Sequence, residues 1–254
     1  MMSKDMSVYL FGVVENKEGL RFPEINLGGN KVEPYTIEHK GQRMIVTEVP
    51  NVIFDPNKQN LQAHQEVVAS AMKQTTVIPM SFGTVLENKK DVQLLHVKLY
   101  DEFKKVFPKV RNKIEVGLKL IASKEWLEQE AEKHSEMKKL KNDVNEKKGK
   151  LHMYEQMKVG EAASVFVKGI HDRFEKEIFE PLAEIADAAK NNEVVGEKMV
   201  LNASFLVDLE KEDEFDQKIN EFHDQWKDHL TFKYTGPWPA YNFIDIKVKA
   251  KRAS

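Results

Sequence analysis

Lys113-Ile114-Glu115-Val116-Gly117-Leu118-Lys119-Leu120-Ile121-Ala122 alternates apolar with mostly charged residues and so sets the architecture of the second half of the chain. Ile114, Val116, Leu118 and Leu120 fall on one side, and Lys113, Glu115, Gly117 and Lys119 on the other. A period of two is that of a half-buried strand with a charged outer face. Ser123 follows at once in the position of an N-cap, so the strand feeds a helix. Between Lys124 and Lys150 stand eight Lys and seven Asp/Glu. Through and beyond them runs a stripe of Leu127, Ala131, Met137, Leu140, Val144, Leu151 and Tyr154. From Met137 onward its spacings of 3, 4, 7 and 3 follow the heptad grid of a coiled-coil seam, with Lys147 at the skipped position. The stripe breaks near Gly149 and resumes through Ala162, Val165, Phe166, Ile170, Phe174, Ile178 and Leu182. This predicts two long helices, or one bent one, running to about Asn191. A projecting helical hairpin and a solvated helix covering a sheet both satisfy the pattern.

Downstream, Met199 to Leu209 reads as a strand with Leu201, Ala203, Phe205 and Val207 on one face. A helix from Lys211 to about His229 carries Phe215, Ile219, Phe222, Trp226 and Leu230 at helical spacing. Phe232 to Tyr234 is short and extended. Gly236-Pro237-Trp238-Pro239 cannot be helical, because two prolines fix φ and constrain the residues before them. The alternation from Tyr241 to Val248 predicts a closing strand. Strand, long helices, strand, helix, strand is an α+β order resembling the ferredoxin-like class.

Upstream, Val8-Tyr9-Leu10-Phe11-Gly12-Val13-Val14 reads as a buried strand, and no small-residue cleavage site follows it as in a signal peptide. Leu20 to Pro34 reads as a loop turning at Gly28-Gly29-Asn30. Met44 to Val49 is a second strand. Leu61, His64, Val67, Val68, Ala71 and Met72 mark an amphipathic helix over about Asn57 to Gln74. Thr75 to Met80 is a β-branched run whose Pro79 suits a sheet edge. A helix from about Asn88 to Phe107 ends at Pro108.

Composition excludes more than it proposes. The 254 residues carry 39 Lys+Arg against 41 Asp+Glu, a net charge of −2, so the whole chain has no basic footprint for nucleic acid. The short basic tail of Lys247, Lys249, Lys251 and Arg252 reads as a solvated strand end. Charged residues reach 31%, above the roughly 25% of average domains, and Gly and Pro are scarce, which suits long solvated helices. The absence of Cys removes disulfides, thiol nucleophiles and Cys-type metal sites, and fits a reducing cytosol. No apolar stretch approaches the 18 residues of a spanning helix.

The search for chemistry is mostly negative. There is no phosphate-binding Gly loop, no G-x-S-x-G and no HExxH. His223 and His229 flank opposite sides of the apolar stripe centred on Trp226, so they cannot converge on one ion from a single helix. Ser81 reads as a turn residue. His64 lies on the apolar side of its helix, either as a structural histidine or as the acid/base of a small-molecule-binding protein or enzyme. A polar pocket converging on it favours the second reading, and a dry core the first. The most individual segment is Phe232 to Phe243, with five aromatics in twelve residues around two prolines. Such a rigid aromatic platform recognises a partner well, and it equally plugs the end of a core.

At this motif the sequence resembles a known family. Tyr234-Thr235-Gly236-Pro237-Trp238-Pro239-Ala240-Tyr241-Asn242-Phe243 is similar to the C-terminal signature of the gas vesicle protein GvpF/GvpL family. Val8 to Val14 resembles its opening strand. His64 with Val67-Val68, then Val77 to Thr84, resembles its central block, and Lys113 to Lys119 and Leu201 to Val207 follow in the expected order. Ser81 stands where the family often has Arg, and Ala240 where a second Pro is common. The resemblance implies two α+β domains, here 1–109 and 110–254. The second is a modified ferredoxin-like sandwich with a long coiled-coil-like helical insertion at about 123–191. It implies a non-enzymatic accessory or minor structural protein of gas vesicle assembly, acting in nucleation or early growth. The implied partners are the hydrophobic shell protein and other accessory proteins, at the gas vesicle or in the cytoplasm. No cofactor, metal, nucleic acid, membrane or small-molecule substrate is expected. The candidate contacts are Phe232, Tyr234, Pro237, Trp238, Pro239 and Tyr241, with Leu140, Val144 and Leu151 of the helical stripe.

Overall fold

The uninterrupted apolar run near the N-terminus forms strand β1 (Met6–Glu15), buried from Ser7 to Val14. A strand with no alternation must have both faces covered. The computed structural model describes residues 6–15, 17–50, 53–134, 138 and 153–246. The described residues of Met1–Glu115 and Pro237–Ser254 form one compact unit, and those of Val116–Gly236 a second. Among the described residues, 237–246 belong to the first unit.

In the first unit β1 lies between β5 (Gln42–Pro50) and β6 (Val77–Pro79), with β4 (Tyr35–His39) outside β5. These pairs are antiparallel, and the short β7 (Val85–Leu86) also pairs with β1. The edge position expected for the Pro79 strand is observed. A bulge at Phe11 shifts the β1–β5 register between Leu10 and Gly12. The predicted loop from Leu20 to Pro34 contains a small hairpin, β2 (Ile25–Leu27) and β3 (Asn30–Val32), turning at Gly28-Gly29. Its Ile25, Leu27 and Val32 reach the core, which no alternation over so few residues could announce.

Helix α1 (Lys58–Met72) starts at Asn57, whose side chain accepts from the Asn60 N–H. It packs Ala63, Val67, Val68 and Ala71 against Tyr9, Phe11 and Val14. Helix α2 (Lys89–Val110), capped by Asn88, buries Val92, Leu99, Phe103 and Phe107 in a row. It runs past Pro108 to Val110, because a proline one turn from the helix end removes a single internal hydrogen bond.

The second unit is built on β8 (Lys113–Ala122), whose C-terminal residue passes the chain to Ser123. That side chain caps helix α3 (Lys124–Lys133) by accepting from the Trp126 N–H, as its position predicts. Helix α4 (Met153–Phe174), a π turn (Glu175–Phe179) and α5 (Glu180–Ile185) follow. Next come β9 (Ala188–Asn191), β10 (Met199–Asp208), α6 (Glu212–Trp226) and β11 (Leu230–Trp238). The strand order across the sheet is β11-β8-β10-β9. Fourth, first, third, second is the order of a βαββαβ sandwich, so the ferredoxin-like expectation matches this sheet.

Two elements correct the sequence reading. The helix expected to reach Asn191 stops at Ile185, and Ala188–Asn191 is an edge strand antiparallel to β10. Ala-Ala-Lys-Asn has no strand propensity of its own, and pairing with β10 overrides local preference. The expected closing strand from Tyr241 is instead a 3-10 turn, Tyr241–Phe243, and residues 247–254 lie outside the described residues.

Phe205, Phe215, Ile178 and Leu182 are fully buried in this unit, and Phe215, Ile219, Phe222, Trp226 and Leu230 form the predicted inner face. Of the resumed stripe, Ala162, Ile170 and Phe174 are buried while Val165 faces solvent. Arg173 bonds Glu177 at 3.0 Å and Glu130 at 3.4 Å, with its guanidinium 4.9 Å from the Trp226 ring. One side chain thereby ties α3, the π turn and α6.

Candidate functional site

Tyr9 carries the one polar side-chain group of the apolar run Val8–Val14, and it has a reason to be there. Its hydroxyl accepts from the Gly83 N–H at 3.0 Å and lies 2.9 Å from His64 Nδ1. With the Gly83 donor in place, the Tyr9 proton is free to point at Nδ1, which leaves Nε2 as the protonated nitrogen. Nε2 faces the hydroxyl of Tyr241 at 3.3 Å. The His64 ring lies between 5.6 and 5.9 Å from the rings of Tyr9, Phe11 and Phe82. Burial lowers the His64 pKa to about 4, opposed by a hydrogen bond with the Met80 backbone. Burial also raises Tyr9 to about 12, and raises Tyr241 with help from the charges of Tyr9 and Glu115. Histidine and tyrosines are therefore neutral near pH 7, and both ring nitrogens are engaged.

Residues 241 and 242 reach this place from the far end of the chain. Beside Tyr241, the Asn242 backbone N–H donates to Glu115 Oε2 at 2.8 Å, and its side-chain amide donates to Oε1. Glu115 is buried, not on a charged outer face as its alternation suggested. A carboxylate accepts two N–H donors here, so burial is compensated by hydrogen bonds. Glu115 and Asn242 are 127 positions apart, and nothing local in the sequence announces the pair.

The proline-aromatic residues divide by environment. Trp238 and Tyr241 each keep 37% of their surface exposed, and Tyr234 36%. Pro237 is exposed, whereas Pro239 is buried. Phe232 is half-buried with its ring 5.4 Å from His223, and the Tyr234 hydroxyl donates to Asp216 at 2.7 Å. Tyr234 and Phe232 thus sit on the second unit, and residues 237–246 on the first. Leu140, Val144 and Leu151 lie outside the described residues. Among the described residues no three His, Asp or Glu side chains group to hold a metal ion, and no helix is long and apolar enough to cross a membrane.

Known proteins of this shape share one theme. A crystal structure of GvpF from Anabaena superposes with a TM-score of 0.81 at 20% identity, covering 98% of this chain and all of that one. The Microcystis aeruginosa GvpF structure gives 0.76 at 22% identity over 94% of this chain and 99% of its own. In sequence, gas vesicle protein F of Haloferax mediterranei is 23% identical over 248 residues, 96% of each chain. The Nostoc sp. protein of that name is 25% identical over 210 residues, 81% of this chain and 85% of its own. The family described as gas vesicle synthesis protein GvpL/GvpF matches from residue 7 to residue 245, from the β1 strand through the Tyr241–Asn242 anchor. The chain belongs to that family.

Proposed function

We propose that this protein is an assembly factor of gas vesicles that binds the hydrophobic shell protein, together with other accessory proteins, during nucleation or early growth. Family membership across almost the whole chain supports the role in gas vesicle assembly. The binding reading rests on one observation: Trp238 and Tyr241 are exposed on a segment fixed from beneath by buried polar bonds. An aromatic surface fixed in advance loses little entropy on binding, and such residues dominate interface energies. A shell subunit that will line a gas space needs its apolar surface covered before it assembles. The stripe of Leu140, Val144 and Leu151 is a second candidate contact, on sequence grounds. The protein acts by binding and has no chemistry of its own. His64, neutral and engaged at both nitrogens, serves structure and not acid–base catalysis.

Co-precipitation with the shell protein tests the contact. Trp238→Ala should still fold, at a cost of about 1–3 kcal/mol for the covered part of the ring, and lose most of the bound shell protein. Undiminished capture by the folded variant removes Trp238 from the interface. Deletion of the gene followed by electron microscopy tests the role itself, and normal vesicles in a strain with no second copy would overturn it.

A further inference from the structure

Residues 237–246 owe their placement in part to polar bonds with distant residues. Only Pro239 and Ala240 among them are buried, and the segment's regular structure beyond the end of β11 is one 3-10 turn. Beside the packing of Pro239 and Ala240 and the half-buried Phe243, Ile244 and Ile246, it is held by polar bonds: the Tyr241 hydroxyl at His64 and the two Asn242 N–H groups at Glu115. The receiving groups are set without it. His64 is held by α1 and by Tyr9, Tyr9 by Gly83, and Glu115 by β8. Just before the segment, Gly236 has φ of 139°, a conformation that other residues resist and a natural pivot.

Polar receivers prepared in advance, a backbone N–H among the donors, and a pivot at the entry are the parts of a peptide-binding site filled by its own chain. We propose that His64 and Glu115 form such a site, with residues 237–246 as a releasable strap docked in cis. The site fits an extended peptide that offers an aromatic hydroxyl followed immediately by a carboxamide residue. Glu115 reads the backbone N–H and the carboxamide together, and His64 reads the hydroxyl at the preceding position. A partner carrying that pair, a second copy of this chain included, competes with the strap. The strap carries Trp238 and Tyr241, so its docked form is the one that presents the aromatic surface of the proposed function, while peptide binding at Glu115 is read without the shell protein.

The test uses the full chain carrying Tyr241→Ala and Asn242→Ala, and a fluorescent synthetic peptide with the sequence of residues 237–246. The doubly substituted chain should bind the peptide saturably and at least tenfold more tightly than the parent, whose own strap competes. Adding Glu115→Gln should abolish the gain. No saturable binding to a chain whose thermal transition is intact, or binding indifferent to Glu115→Gln, overturns the proposal. Hydrogen exchange on the unaltered protein gives an independent reading should the variants fail to fold. Amides of 240–246 should exchange at least tenfold faster than those of β10, and equal protection would rule out a releasable strap.

Discussion

Tyr9 and Tyr241 bind the same imidazole, yet their hydroxyls should be worth different amounts. Tyr9 is fully buried, so Tyr9→Phe strands both His64 Nδ1 and the Gly83 N–H, at a cost of roughly 1–3 kcal/mol. The Tyr241 hydroxyl makes one longer contact, 3.3 Å from Nε2, and serves a single partner, so Tyr241→Phe should cost about 0.5–1 kcal/mol. Urea unfolding of the two variants checks the order, and an equal loss would contradict the hydrogen-bond chain. Gly12 poses a steric case at the same scale. A Cβ there would stand 2.9 Å from the Ile78 carbonyl oxygen and 2.9 Å from Val77 Cγ2, where β6 crosses close to the bulge. Gly12→Ala should therefore cost about 1–3 kcal/mol, since the backbone oxygen cannot move aside without disturbing the pairing.

Elements were legible in proportion to how much of their own pattern they carry. Helix α6 declares itself through aromatic and aliphatic residues at helical spacing, and β8 through alternation, because each buries one face against a partner. The Ser123 cap was equally plain, and Ser123→Ala should lower stability by about 1 kcal/mol in a thermal melt. Strand β9 was invisible, since Ala188–Asn191 is a strand only by virtue of β10 beside it. The segment after Tyr241 misled in the opposite sense: its alternation is real, but Ile244 and Ile246 are half-buried and the chain turns at Tyr241–Phe243. The candidate site was legible in part. His64 and the proline-aromatic run could be singled out, one by its place on an apolar helix face and the other by composition. That they meet, and that Glu115 anchors the neighbour, depends on contacts between residues more than a hundred positions apart.

At the scale of the molecule, two buried histidines govern the response to acid. Burial holds His64 at about 4, and burial with the nearby His39 charge holds His96 at about 4, against 6.5 for the exposed side chain. Between those values the unfolded chain binds more protons than the folded one, so stability falls as pH drops through 6.5 and levels below about 4. Each histidine contributes on the order of 3 kcal/mol to that loss, a large share of the roughly 5–15 kcal/mol of a typical domain. Melting temperature should decline steeply from pH 6.5 to 4.5, and His96→Leu should remove about one proton from the slope. An unchanged slope would mean that His96 is not held neutral by the fold. Near neutrality the 39 basic and 41 acidic residues almost cancel and add little net repulsion. A last consequence concerns the π turn at Glu175–Phe179. A π turn closes i→i+5 and so holds one residue more than an α turn needs. Deleting one residue there would restore an α-helix and rotate everything before it by about 100°. Arg173 would swing off the Trp226 face, so the extra residue of this turn sets the phase in which the helix meets α6.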